Sequence, residues 1–308
     1  MTPEQARAWE QDGYFVLPTF WSGAELERLQ AAARQVRETW RAAKRLSDDN
    51  GNGDDDQPFS IRNLVACHEA FLELVDHPRV LPLLVDTLGP NVQLKTSHLD
   101  YRPPEPPNIE QLQREAEAKN GPRGGHTWRR NSGWHADNGN IAPSTNDGVL
   151  PMVESKVFYT LFDMSTSDCG NLWLVPGSHR RRYSDLAQWQ HQGEDGAVEL
   201  RLPAGAAVFW RTAVWHRVGR NLSGRVRRVL HIGYNLRWLR PGDYVQQSPE
   251  LLRRCSPLRQ QLLGAVPDEA GQPLGTEEFE PTSAYWRSYE EDVPLIAWAR
   301  ARGQTAKL

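Results

Sequence analysis

The sequence predicts a mainly β protein, a sandwich or barrel flanked by helices and built as one domain over residues 1–308. Two observations carry that expectation. Short apolar runs recur between residues 157 and 234, most of them separated by Gly- or Pro-bearing turns, which is the texture of an antiparallel sheet protein. Helical periodicity is confined to the stretches on either side, and 308 residues without an internal repeat are enough to enclose one large core.

Taken in order, Thr2, Pro3 and Gln5 form a helix start: a capping hydroxyl, a proline at the first helical position and the partner of a capping box. Gly13 should stop that helix and leave Tyr14 to Leu17 as a short strand. Ser22 and Glu25 make a second capping box, which opens a longer helix with Leu26, Leu29, Ala33, Val36 and Trp40 on one face. Residues 47–56 are acidic, Gly-rich and free of apolar side chains, a solvated loop without the closing Glu of a calcium loop. Cys67 to Leu88 reads as helix in two pieces divided at His77-Pro78, and Asn91 to Tyr101 as a strand. Residues 103–131 open with Pro103, Pro104, Pro106 and Pro107 and continue with mixed charge, so they are read as an insertion or lid over a site. Strands follow at 157–162, 171–175, 198–202, 206–211, 214–218 and 226–234. Residues 240–308 form a C-terminal helical and irregular extension.

Composition narrows the function. A formal net charge of −3 argues against a strongly basic nucleic-acid binder. No apolar run approaches the ~20 residues of a membrane span. The first residues show neither a basic n-region nor an apolar h-region, and three scattered cysteines offer no CxxC spacing. The expectation is a cytoplasmic protein with a small-molecule partner and neither nucleic acid nor membrane; composition leaves the oligomeric state open. Twelve tryptophans are compatible with an aromatic pocket or with core packing.

Nine histidines direct attention to metal chemistry. His135-Ala136-Asp137 is a His-x-Asp, and on a strand positions i and i+2 share a face, so an imidazole and a carboxylate can converge on one ion. With 18 Asp in the chain, chance alone supplies about half of one such motif, so the spacing is a weak signal by itself. The chain in fact contains two, because His98-Leu99-Asp100 also fits. The wider pattern separates them. His216 follows in a predicted strand, and Arg227 comes eleven positions after it.

With these residues in place the chain resembles the phytanoyl-CoA dioxygenase-like family of Fe(II)/2-oxoglutarate oxygenases. The resemblance extends over roughly residues 4–237. It includes Asp12-Gly13-Tyr14, Leu88-Gly89-Pro90-Asn91 and the run from Cys169 to His179, whose Pro-Gly-Ser-His end is its most specific part. The resemblance implies a double-stranded β-helix, the jelly roll of cupin-like proteins. It implies His135, Asp137 and His216 as iron ligands and catalytic residues, Fe(II), 2-oxoglutarate and O2 as cofactor and cosubstrates, and Arg227 as partner of the 2-oxoglutarate distal carboxylate. Arg225 shares a strand face with Arg227 and is its rival. By the same resemblance Tyr159, His98 and Arg62 fall near the cosubstrate. The activity implied is hydroxylation of a small organic metabolite with release of succinate and CO2. The competing reading is a cupin-like metal isomerase or hydrolase without 2-oxoglutarate, which offers no reason for Arg227.

Overall fold

The computed structural model describes residues 1–47, 58–120, 133–145, 148–189, 196–265 and 294–304. Among the described residues, nine strands form two antiparallel sheets. They are β1 (Tyr14–Leu17), β2 (Phe59–Arg62), β3 (Val92–Arg102), β4 (Glu154–Thr160), β5 (Leu172–Leu174), β6 (Val198–Leu200), β7 (Ala207–Arg211), β8 (His216–Val218) and β9 (Arg227–Leu236). The large sheet runs β1-β7-β4-β9-β3-β2 and the small one β6-β5-β8. This is the predicted jelly roll.

Period-2 alternation assigns the buried apolar residues of the large sheet to one of two cores. On one face of the large sheet, Tyr159, Phe209, Leu230, Ile232 and Leu99 pack with Leu29, Ala33 and Val36 of the long helix Gly23–Ser47 and with Phe71 and Leu84 beyond it. On the other, Phe158, Val208, Trp210 and Val229 meet Leu172, Leu174 and Leu200 of the small sheet. Burying side chains of this size is worth roughly 1.5–3 kcal/mol each, so the alternation holds every register firmly.

Thr2 caps the first helix, Pro3–Gln11, with the full capping box. Gly13 then takes a φ of 81°, a left-handed conformation suited to glycine, and turns the chain into β1. The helix predicted from Cys67 is shorter than its periodicity implies: Glu69–Leu72 is one turn, and Leu81–Leu88 resumes after the Pro78 break. β2 is an addition to the strands that the sequence predicts. The predicted lid contains a helix, Ile109–Asn120, where the prolines suggested irregular chain. Its remainder, 121–131, with Arg123, Arg129 and Arg130, and most of the acidic loop at 47–56 lie outside the described residues. Among the described residues, three helices follow β9 (Pro249–Arg253, Pro257–Leu262 and Pro294–Arg300). Among the described residues no helix is long and apolar enough to cross a membrane.

Candidate active site

The run from Cys169 to His179 supplies β5, and β5 pairs with β8 so that Leu174 lies opposite His216. Beyond β5 the chain turns at Gly177, and the Ser178 hydroxyl accepts a hydrogen bond from the Trp215 N–H at 2.8 Å. The residue preceding His216 is thus tied to the Pro-Gly-Ser-His turn. His135 bonds back across the mouth in an antiparallel bridge: each of His135 and His216 donates its backbone N–H to the other's carbonyl, at 3.0 and 2.9 Å. The Asp137 N–H reaches the Thr212 carbonyl at 3.0 Å. Two antiparallel pairings therefore bring His216 to the His-x-Asp of a segment about 80 residues earlier in the chain.

Their side chains converge. Ligand atoms of His135, Asp137 and His216 all lie within 4.8 Å of one another. The Nδ1 of His135 stands 2.8 Å from the Gly133 carbonyl, and that of His216 2.8 Å from the Val214 carbonyl. A carbonyl only accepts, so both Nδ1 atoms carry the proton and both Nε2 atoms keep their lone pairs. These lone pairs face the Asp137 carboxylate, with His135 Nε2 at 3.9 Å from Oδ1 and His216 Nε2 at 3.6 Å from Oδ2. Three electron-rich groups turned on one point is the arrangement a cation completes. Two His and one carboxylate leave coordination positions open and suit Fe(II).

Burial sets the electrostatics. Burial first, and then the neighbouring His135, pushes the His216 imidazole down to about 3, which keeps it neutral and ready to ligate. Burial would raise the Asp137 carboxyl, but Lys156, His216 and His135 outweigh it and hold the group below the usual carboxylate range. The Lys156 Nζ lies 2.9 Å from Asp137 Oδ2 and 4.0 Å from Glu154. It reaches there because its strand partner is Gly233; a Cβ at that position would stand 3.1 Å from the Lys156 Cγ. Lys156 was not foreseen, although Glu154, Lys156 and Phe158 form an alternating inward face that a period-2 reading could have flagged.

Arg227 begins β9 between the sheets and is 2% exposed. Burial lowers its guanidinium to about 10, with Asp100 opposing, so it remains charged. Its Nε and Nη2 have no hydrogen-bond partner among the described residues. A buried, charged, half-unpaired guanidinium fits an anion, and a carboxylate can take both N–H groups at once. Gly170, from the same Cys169–His179 run, makes the space: its φ is 73°, and a Cβ there would stand 2.5 Å from the Arg227 Cδ. The rings of Phe158 and Trp210 line the way from Arg227 to His216. Arg225, the rival, lies outside β9 with its side chain 56% exposed beside Asp163.

The remaining expectations fare differently. Tyr159 does not face the site. It points into the helix-backed core, with ring centroids 5.6 Å from both Phe20 and Trp21. The aromatic beside Arg227 is its neighbour Phe158, 5.7 Å away; the two are one residue apart, and on a strand one residue changes the face. His98 is placed between Asp100, His231 and Thr96, and its Nδ1 lies 3.2 Å from the Nη1 of Arg62. The Arg62 side chain is 55% exposed and pairs with Asp243 of the C-terminal extension at 3.5 Å.

The fold and the triad define a class, the non-haem iron, 2-oxoglutarate-dependent dioxygenases. Within that class the chain belongs to the phytanoyl-CoA dioxygenase (PhyH) family, whose model matches residues 9–229. A Mycobacterium tuberculosis protein of uncharacterised function is 29% identical over 153 residues, which are 42% of this chain and 54% of that one. The chain thus matches about half the length of that relative. A probable alpha-ketoglutarate-dependent hypophosphite dioxygenase of Stutzerimonas stutzeri is 23% identical over 260 residues, 76% of this chain and 78% of the relative. Among solved structures, HygX of Streptomyces hygroscopicus, with nickel, 2-oxoglutarate and hygromycin B, superposes with a TM-score of 0.54 at 16% identity, covering 76% of this chain and 87% of its own. EctD of S. alaskensis, with 2-oxoglutarate and 5-hydroxyectoine, gives 0.52 at 23%, covering 79% and 78%.

Proposed function

We propose that this protein hydroxylates a small organic metabolite using Fe(II), 2-oxoglutarate and O2, with release of succinate and CO2. The observation that carries the reading is the buried Arg227 with its unpartnered Nε and Nη2 in the same inter-sheet space as the His-Asp-His triad. A metal isomerase or hydrolase on this scaffold has no use for that guanidinium.

His135, Asp137 and His216 would hold the iron, and Arg227 the distal carboxylate of 2-oxoglutarate. Bound there, iron and 2-oxoglutarate together supply oxidative decarboxylation coupled to oxidation of a C–H bond. The chain's own contribution is positional. The Gly133 and Val214 carbonyls fix the imidazole tautomers, and Lys156, 2.9 Å from Asp137 Oδ2, restrains the carboxylate. Phe158 and Trp210 exclude water from the inner end. The site is asymmetric: the His135 side chain is 42% exposed and that of His216 only 7%, so the substrate enters on the His135 side while the cosubstrate lies inward. An aspartate at position 137, rather than a small residue that would leave room for halide, supports hydroxylation over halogenation. HygX and EctD were crystallised with hygromycin B and 5-hydroxyectoine, which supports a small molecule as substrate.

The test is an anaerobic titration of the metal-free chain with Fe(II) and then 2-oxoglutarate, following the visible metal-to-ligand charge-transfer band. The band is expected in the wild type and absent in His135→Ala. In Arg227→Ala it should require at least about tenfold more 2-oxoglutarate, the size of one lost charge-assisted hydrogen bond. A metal-loaded wild type without the band would overturn the 2-oxoglutarate reading.

A further inference from the structure

The second His-x-Asp acquires a histidine as well. His98 and Asp100 share a face of β3, and His231 stands directly opposite His98 in the β3–β9 register. The first triad is built in the same way, a His-x-Asp on one segment with the completing histidine directly opposite its own on an antiparallel neighbour. Ligand atoms of His98, Asp100 and His231 also lie within 4.8 Å of one another. Asp100 Oδ2 is 3.6 Å from His98 Nε2 and 3.3 Å from His231 Nε2. Neighbouring donors around an ion bonded at about 2.1 Å stand roughly 3.0–3.5 Å apart.

We propose that His98, Asp100 and His231 form a second divalent-cation site, of the kind zinc or cobalt occupies with nitrogen and carboxylate ligands. The surroundings are those of a supported site. The Ser60 hydroxyl donates to Asp100 Oδ1 and leaves Oδ2 to face the two imidazoles. The Thr96 hydroxyl donates to Asp243 Oδ2 at 2.7 Å. Its oxygen is therefore free to accept the Nδ1–H of His98, 3.1 Å away, which turns the Nε2 lone pair toward Asp100. Without a cation the half-exposed Arg62 can donate to that Nδ1 instead; with one, Arg62 retains Asp243 as its partner. His231 Nε2–H faces Asp100 in the empty state, so a cation there requires the other imidazole tautomer, with the proton on Nδ1. Positive charge on Arg227, Arg62 and Lys156 lies within electrostatic range. The second site is accordingly the weaker of the two, by tenfold or more in Kd.

The test is metal stoichiometry of the full chain, stripped with chelator, titrated with Co(II) or Zn(II), desalted and measured by elemental analysis. Wild type should bind two equivalents in two phases. His98→Gln and His231→Gln should each retain one, His135→Ala should retain the other, and His135→Ala with His231→Gln none, with circular dichroism reporting the fold of each. A wild type that saturates at one equivalent overturns the proposal. So does a second equivalent that survives both His98→Gln and His231→Gln. Neither result touches the first triad, whose failure would show instead as no loss of metal in His135→Ala.

Discussion

Gly170 shows how one missing methyl group shapes the site. Arg227 is enclosed on all sides, and its Cδ occupies the volume that a Cβ at position 170 would need. Only a residue that tolerates a φ of 73° and has no side chain permits both the turn into β5 and the extended guanidinium. Gly170→Ala should therefore do two things. It should destabilise the chain by about 1–3 kcal/mol, from backbone strain and overpacking together. It should also weaken 2-oxoglutarate binding roughly tenfold or more by displacing the guanidinium, while leaving Co(II) affinity at the His135 triad within about twofold, since none of its ligands moves. Denaturation midpoints and a cosubstrate titration monitored by the charge-transfer band would separate the two effects. Equal losses of metal and cosubstrate affinity would show that the substitution acts on the whole barrel and not on Arg227.

At the scale of elements, β8 is three residues long and carries His216, the proposed iron ligand, so it must be held from outside. Its supports are β5 on one side, the His135 bridge on the other and the Ser178 hydroxyl at its entrance. Ser178→Ala strands the buried Trp215 N–H, at a cost of about 1–3 kcal/mol. It should lower the melting temperature and weaken Co(II) binding, measurable by calorimetry, because the loosened residue adjoins His216. The same scale explains what was legible beforehand. Most strands were visible as apolar runs, and the jelly roll with its triad followed from motifs whose spacing matched a known family. Registers were not visible. Whether Tyr159 or Phe158 faces Arg227 depends on a one-residue phase that both aromatic side chains satisfy equally well. His231 sits four residues beyond Arg227 on the same face, but its partnership with His98 depends on β3 and β9 being neighbours in the sheet, which pattern alone does not state. Lys156 was hidden for another reason: a lysine in a strand ordinarily marks solvent, and only Asp137 and Glu154 make this one an interior residue.

Across the whole molecule, the N-terminal helix and strand meet the Pro-Gly-Ser-His turn at one histidine. The Gly177 N–H donates to the Asp12 carbonyl and the Arg211 N–H to the Gly13 carbonyl. Gly13 lacks the Cβ that would stand 2.5 Å from the His179 Nδ1. The first helix, β1 and the Pro-Gly-Ser-His turn therefore close around His179, which is buried. Burial, reinforced by the charges of Arg211 and Arg180 against a smaller opposing effect of Glu10, lowers its imidazole to about 4. The unfolded chain takes up that proton near pH 6.5, whereas the folded chain resists it down to about 4. Stability from this group is thus complete above pH 6.5 and lost as pH falls toward 4. At pH 5 the loss is about 2 kcal/mol relative to pH 7. His179→Gln removes the titration, so urea denaturation of the metal-free chain at the two pH values should show a smaller acid penalty in the variant by about that amount. Because Ser178 in the same turn holds Trp215, acid should loosen the support of β8 as it opens the N-terminal packing. An unchanged penalty in the variant would place the acid sensitivity elsewhere in the barrel and break that link between the N-terminal strand and His216.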